Sequence, residues 1–400
     1  MAWNFRDKIA AMGITIQPTP GVFNAPNTTT DLMPVASINN AGAAITVADP
    51  TLTGAIWDAP PIVLGTTYTL GGSYPMRGPG GATPPALGAW VPGRLLLATG
   101  FAEQRLAAAS TASLQAGSTT TQLVLATSES TVDDFLLGTP IQQAAIGTGF
   151  RQTSLIVDYV GASRTALLAE TLGTAPATGA AYTRPASLTY VLGTLTVAPP
   201  LLSVSIWRDK KRYDFRDCAI ASLSVDAPVA NEANQVFPSM DFSLKGILVG
   251  VYDDTTPAVS GAVLGIPVPP VRAGKFWLGN VKAEHQDFKI NLALTTGAAS
   301  NQNQDAGQDG YDIQSGTRTF DLDLNMMAVA DLDIDSIANN QTLVSMLSTW
   351  GGAAGNRFGM VVPHGLVQPL TPGSRNGYVN LTGQAQTSDV DKSIALAIWY

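Results

Sequence analysis

The sequence predicts a mainly β protein, and three observations carry that expectation. Charged residues make up only 13% of the chain, while 39 Gly and 26 Pro break it into many short runs. Several runs alternate apolar and polar residues with period two, as half-buried strands do. Clusters of turn-forming residues recur between them at short spacing. Four hundred residues exceed what one simple core holds, so two or three domains are expected.

Near the start, "AAITVADPTLTGAIWDAPPIVL" (43–64) reads as β-rich runs punctuated by Pro, and 71–88 as a long Gly/Pro loop. A short helix is expected at Arg94–Thr99, with Gly100 as its stop. Residues 118–186 then form a series of short strands with turns at "GTGF", "VGAS" and "APATGAAY". The pattern of the first hundred residues resumes at "SLTYVLGTLTV", so 118–186 reads as a small all-β module inserted into another domain and separable from it. Ser203–Trp207 and Arg212–Arg216 flank the polar turn "RDKK" as a hairpin, and "AIASLSVDA" and "SMDFSLKGIL" alternate strictly. Residues 253–272, rich in Pro and Gly, mark a linker.

The final third reopens with strands in "NVKAEHQDFKINLALTT" and an Asp-rich strand. A helix is expected in "NNQTLVSMLSTWGG" (339–352), capped by Asn339 or Asn340 and ended by Gly351. Strands in "RFGMVVP", "GYVNLTGQAQ" and "SIALAIWY" follow. A strand pair, a helix and a strand therefore occur in this order in both the first and last thirds, which suggests an internal duplication.

The aspartates of "RTFDLDLNMMAVADLDIDS" (318–336) invite a metal or catalytic reading. Phe320, Leu322, Leu324 and Met326 share one parity, and Asp321, Asp323 and Asn325 the other, so one strand face is acidic. An EF-hand counted from Asp331 fails, because Ser336 stands where the turn needs Gly and Thr342 where a bidentate Glu should close the cage. Cys218 is the single cysteine, which leaves no disulfide framework and no Cys-based zinc site. His285 and His364 are the only histidines, and His285 is expected at the surface of a strand. No nucleophile elbow or phosphate loop is present. Paired carboxylates keep a glycosidase open by inventory, although the tryptophans are spread singly, as core anchors would be. No cofactor is expected. The formal charge of −8 argues against gripping nucleic acid. The N-terminus lacks the apolar core of a signal peptide, and no apolar run reaches membrane-spanning length, so a soluble chain made in a cytoplasm is expected.

Several stretches resemble one family, the tail tube (major tail) proteins of long-tailed bacteriophages. "TPGVFNAP" (19–26) is similar to an opening these proteins often carry, and "PPALGAWVPGRLLLATGFAE" (84–103) to their loop-to-helix segment. "SVSIWRDKKRYDFRDCAIASLSVDAPVANEANQVFPSMDFSLKG" (203–246) resembles their hairpin and long strand pair. Residues 118–186 are similar to a small β module that recurs in phage structural proteins.

The resemblance implies two tube-type β-sandwich or barrel domains, each with a short helix: 1–117 with 187–252, and 273–400. The module at 118–186 is then an insertion on the outer surface. Such a chain is a non-enzymatic virion subunit whose rings stack into the conduit for DNA ejection, assembled in the bacterial cytoplasm. Its partners are itself, in trimeric pseudo-sixfold or alternatively hexameric rings, and the tape measure, terminator and distal tail proteins. DNA passes without specific binding, and no membrane is involved. Asp321, Asp323, Asn325, Asp331, Asp333 and Asp335 become candidates for the lumen wall. The basic stretch with Arg208, Lys210, Lys211, Arg212 and Arg216 becomes a candidate contact with an acidic neighbour. Rival expectations are another tail component, such as a terminator or fibre-associated protein, and an all-β carbohydrate-active enzyme.

Overall fold

The computed structural model describes residues 10–47, 62–146, 153–193, 198–230, 236–271, 274–300, 308–325, 334–375, 378–387 and 392–400. The fold is mainly β, as the sequence predicts. In chain order it opens with β1 (Ala10–Ile16), β2 (Leu32–Met33), β3 (Ser37–Val47), β4 (Ile62–Pro75), helix α1 (Val91–Ala98) and β5 (Phe101–Leu106). A small unit follows, made of β6 (Ser110–Ser113), β7 (Gln122–Val124), β8 (Pro140–Gln143), β9 (Thr153–Val160), β10 (Thr165–Leu168) and β11 (Ala181–Arg184). Next come β12 (Ser187–Leu192), β13 (Leu202–Arg208), β14 (Lys211–Asp226), β15 (Ser239–Asp253) and the short α2 (Gly261–Leu264). Then follow β16 (Lys275–Leu278), β17 (Val281–Lys282), β18 (His285–Ser300), β19 (Gln308–Asn325) and α3 (Ile334–Asn339). The series ends with β20 (Leu343–Gly351), β21 (Arg357–Val367), β22 (Thr371–Arg375), β23 (Tyr378–Thr387) and β24 (Ala395–Trp399).

The strands outside the small unit form one continuous hydrogen-bonded network. Its main core draws on both ends of the chain, from Met12, Leu70 and Leu223 to Phe320, Phe358 and Ile398. Each large side chain buried there contributes about 1.5–3 kcal/mol by leaving water. Hydrogen bonding crosses the boundary expected between the two large domains. β14 pairs with β18, and β12 pairs with β24.

Helix α1 starts earlier than expected, at Val91, because Pro92 suits the first turn, where no N–H is needed. Gly93 lets the helix approach β12, since a Cβ there would stand 2.2 Å from the Tyr190 hydroxyl. Gly100, at φ 102°, provides the expected stop. Arg94 ties the helix down through an ion pair with Asp31 at 2.9 Å and a bond to the Gly88 carbonyl at 2.9 Å.

Three expectations need correction. The helix expected at 339–352 is strand β20, and the helix α3 lies before it. Met346 and Trp350 enter the main core while Leu347 enters the packing under the small unit. Apolar residues on both faces of β20 thus imitate helical spacing. The loop expected at 71–88 begins as strand, because Gly71–Pro75 pair with β15 along Ser239–Ser243. His285 lies on a strand but not at the surface: it is half-buried and stacked on Phe276 with ring centroids 4.3 Å apart. A register shift between His285 and Asp287 breaks the alternation and turns the imidazole to the side of its partner Leu324, which lies in the core. Burial depresses its pKa to about 4, against a smaller pull from Asp323.

The small unit has its own core around Leu123, Ile141, Ile156, Tyr159 and Tyr182. Its strands begin at Ser110 rather than 118, because β6 pairs with β11 along Ser110–Ser113. It sits on the main network through Leu137, Leu155 and Val157, packed with Val361, Ala397 and Trp399. Excising the unit would therefore uncover an apolar face. The seat also holds a buried ion pair, Lys275 Nζ to Glu170 Oε2 at 2.9 Å. Burial raises the Glu170 pKa, and Lys275 opposes that rise. Lys275→Met should cost roughly 3 kcal/mol in urea unfolding, because Glu170 is left buried without its cation. Adding Glu170→Gln should restore part of that loss. Equal losses in the single and double variants would assign the effect to packing.

Candidate functional site

Eight strands lie side by side in the order β3-β4-β15-β14-β18-β19-β23-β22, all antiparallel. Alternation gives this surface two characters. One face sends Leu70, Phe242, Leu244, Leu223, Ile290, Phe320 and Leu322 into the main core. The residues of opposite parity follow the registers across the other face. They run from Ser37 and Asn39 through Ser73 and Thr69 to Asp241, Ser243 and Lys245. The row continues through Ser222, Ser224 and Asp226 to Asp287, Lys289 and Asn291. It ends with Thr319, Asp321 and Asp323, followed by Thr382, Gln384 and Gln386. No aromatic or large aliphatic side chain stands among these named positions. Asp226, Asp241, Asp287, Asp321 and Asp323 face Lys245 and Lys289, so the surface is acidic.

Amides hold two of these carboxylates in place. Asn291 Nδ2 donates to Asp321 Oδ2 at 2.7 Å and Gln384 Nε2 to Asp321 Oδ1 at 3.1 Å. Asn380 Nδ2 donates to Asp323 Oδ1 at 2.8 Å. A neutral donor orients a carboxylate without cancelling its charge. Asp287 stands directly opposite Asp323 on the neighbouring strand. Burial, then a hydrogen bond with Asp226 and the charges of Asp226 and Asp323, push the Asp287 pKa up to about 7, against the pull of Lys289. Among the described residues, no group of three or more His, Cys, Asp or Glu is arranged to hold a metal ion.

Of the expected lumen candidates, Asp321 and Asp323 lie on this face. Asn325 ends β19 opposite Asn380, and Asp335 lies in α3. Asp331 and Asp333 lie outside the described residues. Sequence alone does not join Asp226, Asp241 and Asp287 to the same surface. Their alternation is visible, but only strand pairing brings them beside Asp321.

The basic candidates lie around the β13–β14 turn, where Asp209 takes φ 52°. Arg208 Nη2 donates to the Ile38 carbonyl at 2.9 Å. Lys210 sits in the turn, and its carbonyl accepts from Asp254 N at 3.1 Å. Lys211 pairs with Asp253, an exposed contact of little weight. Arg212 bonds Asp214 at 3.1 Å and Asp254 at 2.8 Å, and lies 5.0 Å from the Tyr252 ring centroid. Arg216 pairs with the buried Asp217. Acids of the same chain thus answer much of the charge that reads as basic in sequence.

No family model matches this chain, and no curated protein matches it in sequence. Among the described residues, no helix is long and apolar enough to cross a membrane.

The raised pKa of Asp287 has a measurable consequence. Its pKa is raised on folding, so its contribution to stability is full below about pH 4 and is lost as pH rises through about 7. Asp287→Asn should therefore raise the melting temperature at pH 8 and leave it nearly unchanged at pH 4. A variant that melts lower than the parent at pH 8 would contradict the raised pKa of Asp287.

Proposed function

We propose that this chain is a tail tube protein of a long-tailed bacteriophage: a non-enzymatic virion subunit whose rings stack into the DNA conduit. The observation that carries this reading is a repeated four-strand unit. β3-β4-β15-β14 and β18-β19-β23-β22 have the same chain order and the same antiparallel pairings. In each, a helix follows the second strand, α1 in one and α3 in the other, and a further strand pair comes next, β5 with β12 and β20 with β21. The two units join edge to edge through β14 and β18.

That internal joint is a template for one between chains. β3 and β22 each pair on one side only among the described residues, so they are the free edges of the eight-strand surface. Repeating the joint brings β22 of one copy to β3 of the next. Three chains then supply six units and a closed sheet, a trimer with pseudo-sixfold symmetry held by head-to-tail contacts. The registers set the match. Ser239 faces Asp226 and Pro75 in the first unit, as Asn380 faces Gly373 and Asn325 in the second. Asp226 opposite Lys289 inside the chain therefore becomes Gly373 opposite Asn39 between chains, and Ser224 opposite Asn291 becomes Thr371 opposite Ala41. Pro372 has no N–H to offer, which discourages indiscriminate pairing at that edge.

The acidic face supports the same role when it lines the bore. DNA is held by proteins that neutralise phosphates, and fixed carboxylates do the reverse. At physiological salt their field extends about 8 Å, enough to keep DNA off the wall without closing the channel.

Concentrated protein should form uniform hollow cylinders in negative-stain microscopy, with three chains per ring by native mass spectrometry. Ala41→Cys combined with Thr371→Cys should give disulfides between chains in cylinders and none in monomer. A protein that stays monomeric at high concentration would overturn the reading, and six chains per ring would overturn the trimer. Changing Asp321 and Asp323 to Lys should permit assembly but slow DNA ejection. Normal ejection kinetics would remove these residues from the bore.

A further inference from the structure

A cleft of about 420 Å³ opens beside the seat of the small unit, between that unit and the β5–β12 edge of the main network. The chain builds its two walls differently. On β12, Leu188 and Tyr190 point into the main core, and Ser187 and Thr189 have the opposite parity. Gln104 on β5 stands opposite Thr189. The small unit supplies Phe135, Thr139 and Arg184 to the other wall.

Further along the same face of β12, Val191 packs with Leu137, Leu155, Ala395 and Ala397, and the seam is closed. At Thr189, whose methyl still packs against Gly138, the seam turns polar and the cleft begins. A cleft of this size falls in the range of small-ligand sites.

The lining selects a class of ligand. Two guanidinium groups line the cleft and both are engaged: Arg184 pairs with Glu129 at 2.9 Å, and Arg105 donates Nε and Nη2 to the Pro84 carbonyl at 3.2 and 3.0 Å, so neither is arranged to cage an anion. Three hydroxyls and one carboxamide can each both donate and accept, which suits a ligand made of hydroxyl groups. Phe135 is 50% exposed beside them, a large apolar ring left in water. The apolar face of a sugar ring would cover it. We propose that this cleft binds a saccharide through a neutral hexopyranose unit, with Phe135 beneath the ring and Gln104, Thr139, Ser187 and Thr189 around its hydroxyls. Because both walls contribute, an occupied cleft would also hold the small unit against the main network. The inference is independent of any role in a tail.

Saturation-transfer NMR on the unassembled full chain tests it, with methyl glycosides of glucose, galactose, mannose and N-acetylglucosamine, and glucuronate as an acidic probe. At least one neutral pyranoside should receive saturation at millimolar concentration. Phe135→Ala should weaken it about tenfold by removing the platform. Gln104→Ala should weaken it too, and Thr189→Val, which keeps the shape of the side chain, serves as a third variant that preserves packing. Absence of transfer to every probe would overturn the proposal, as would transfer unchanged in all three variants. Preference for glucuronate over every neutral sugar would overturn the assignment of a neutral ligand.

Discussion

β14 has to serve two directions at once. Its first half bonds to β13 and its second half to β18, while β15 follows it along both. A straight strand cannot do this. Three register shifts against β15 bend it, and Asp217 takes φ 50° at the middle one. The carboxylate of Asp217 is fully buried and would be costly there without partners. It accepts from Gln17 Nε2 at 2.6 Å and from the Gly21 N–H at 2.7 Å, and pairs with Arg216. Residues 17–21 are thus fastened to the bend, and the bend allows the two four-strand units to meet.

The polar face follows from that meeting. Each unit alone would present a few Ser, Thr and Asp side chains, unremarkable on a solvated sheet. Joined through β14 and β18, they place Asp226, Lys289, Asp287 and Asp323 within one neighbourhood. The joint also brings Asp287 against Asp226 and Asp323, where burial and their charges raise its pKa against the opposing pull of Lys289. Amides help to orient Asp321 and Asp323, and a neutral donor leaves a carboxylate's charge in place.

Much of the fold is legible in the sequence wherever one face of a strand is core and the other is wet. "SMDFSLKGIL" and "FDLDLN" need nothing beyond alternation. Legibility fails where that condition fails. β20 is apolar on both faces because the main core lies on one side and the small unit's seat on the other, and no local pattern distinguishes this from a helix. The burial of His285 is hidden because a register shift leaves no mark in composition. For the site, alternation reveals Asp321 and Asp323, and pairing alone reveals Asp226, Asp241 and Asp287. The basic stretch misleads for the converse reason: Asp253 and Asp254, distant in sequence from the turn, lie against it in space.

β24 occupies the gap between β12 and β21, pairing Ser187 with Trp399 on one side and Arg357 with Trp399 on the other. During synthesis β12 emerges long before its partner. Until residues 395–399 arrive, one edge of β12 is open, and the apolar seat of the small unit lacks Ala395, Ala397 and Trp399. Pairings so distant along the chain close slowly, because the loop entropy is spent before the contacts repay it. The nascent chain therefore carries an unfinished sheet edge while residues 193–394 are made, in the crowded company of identical chains doing the same. Its yield of native protein depends on how well that edge is shielded while it waits.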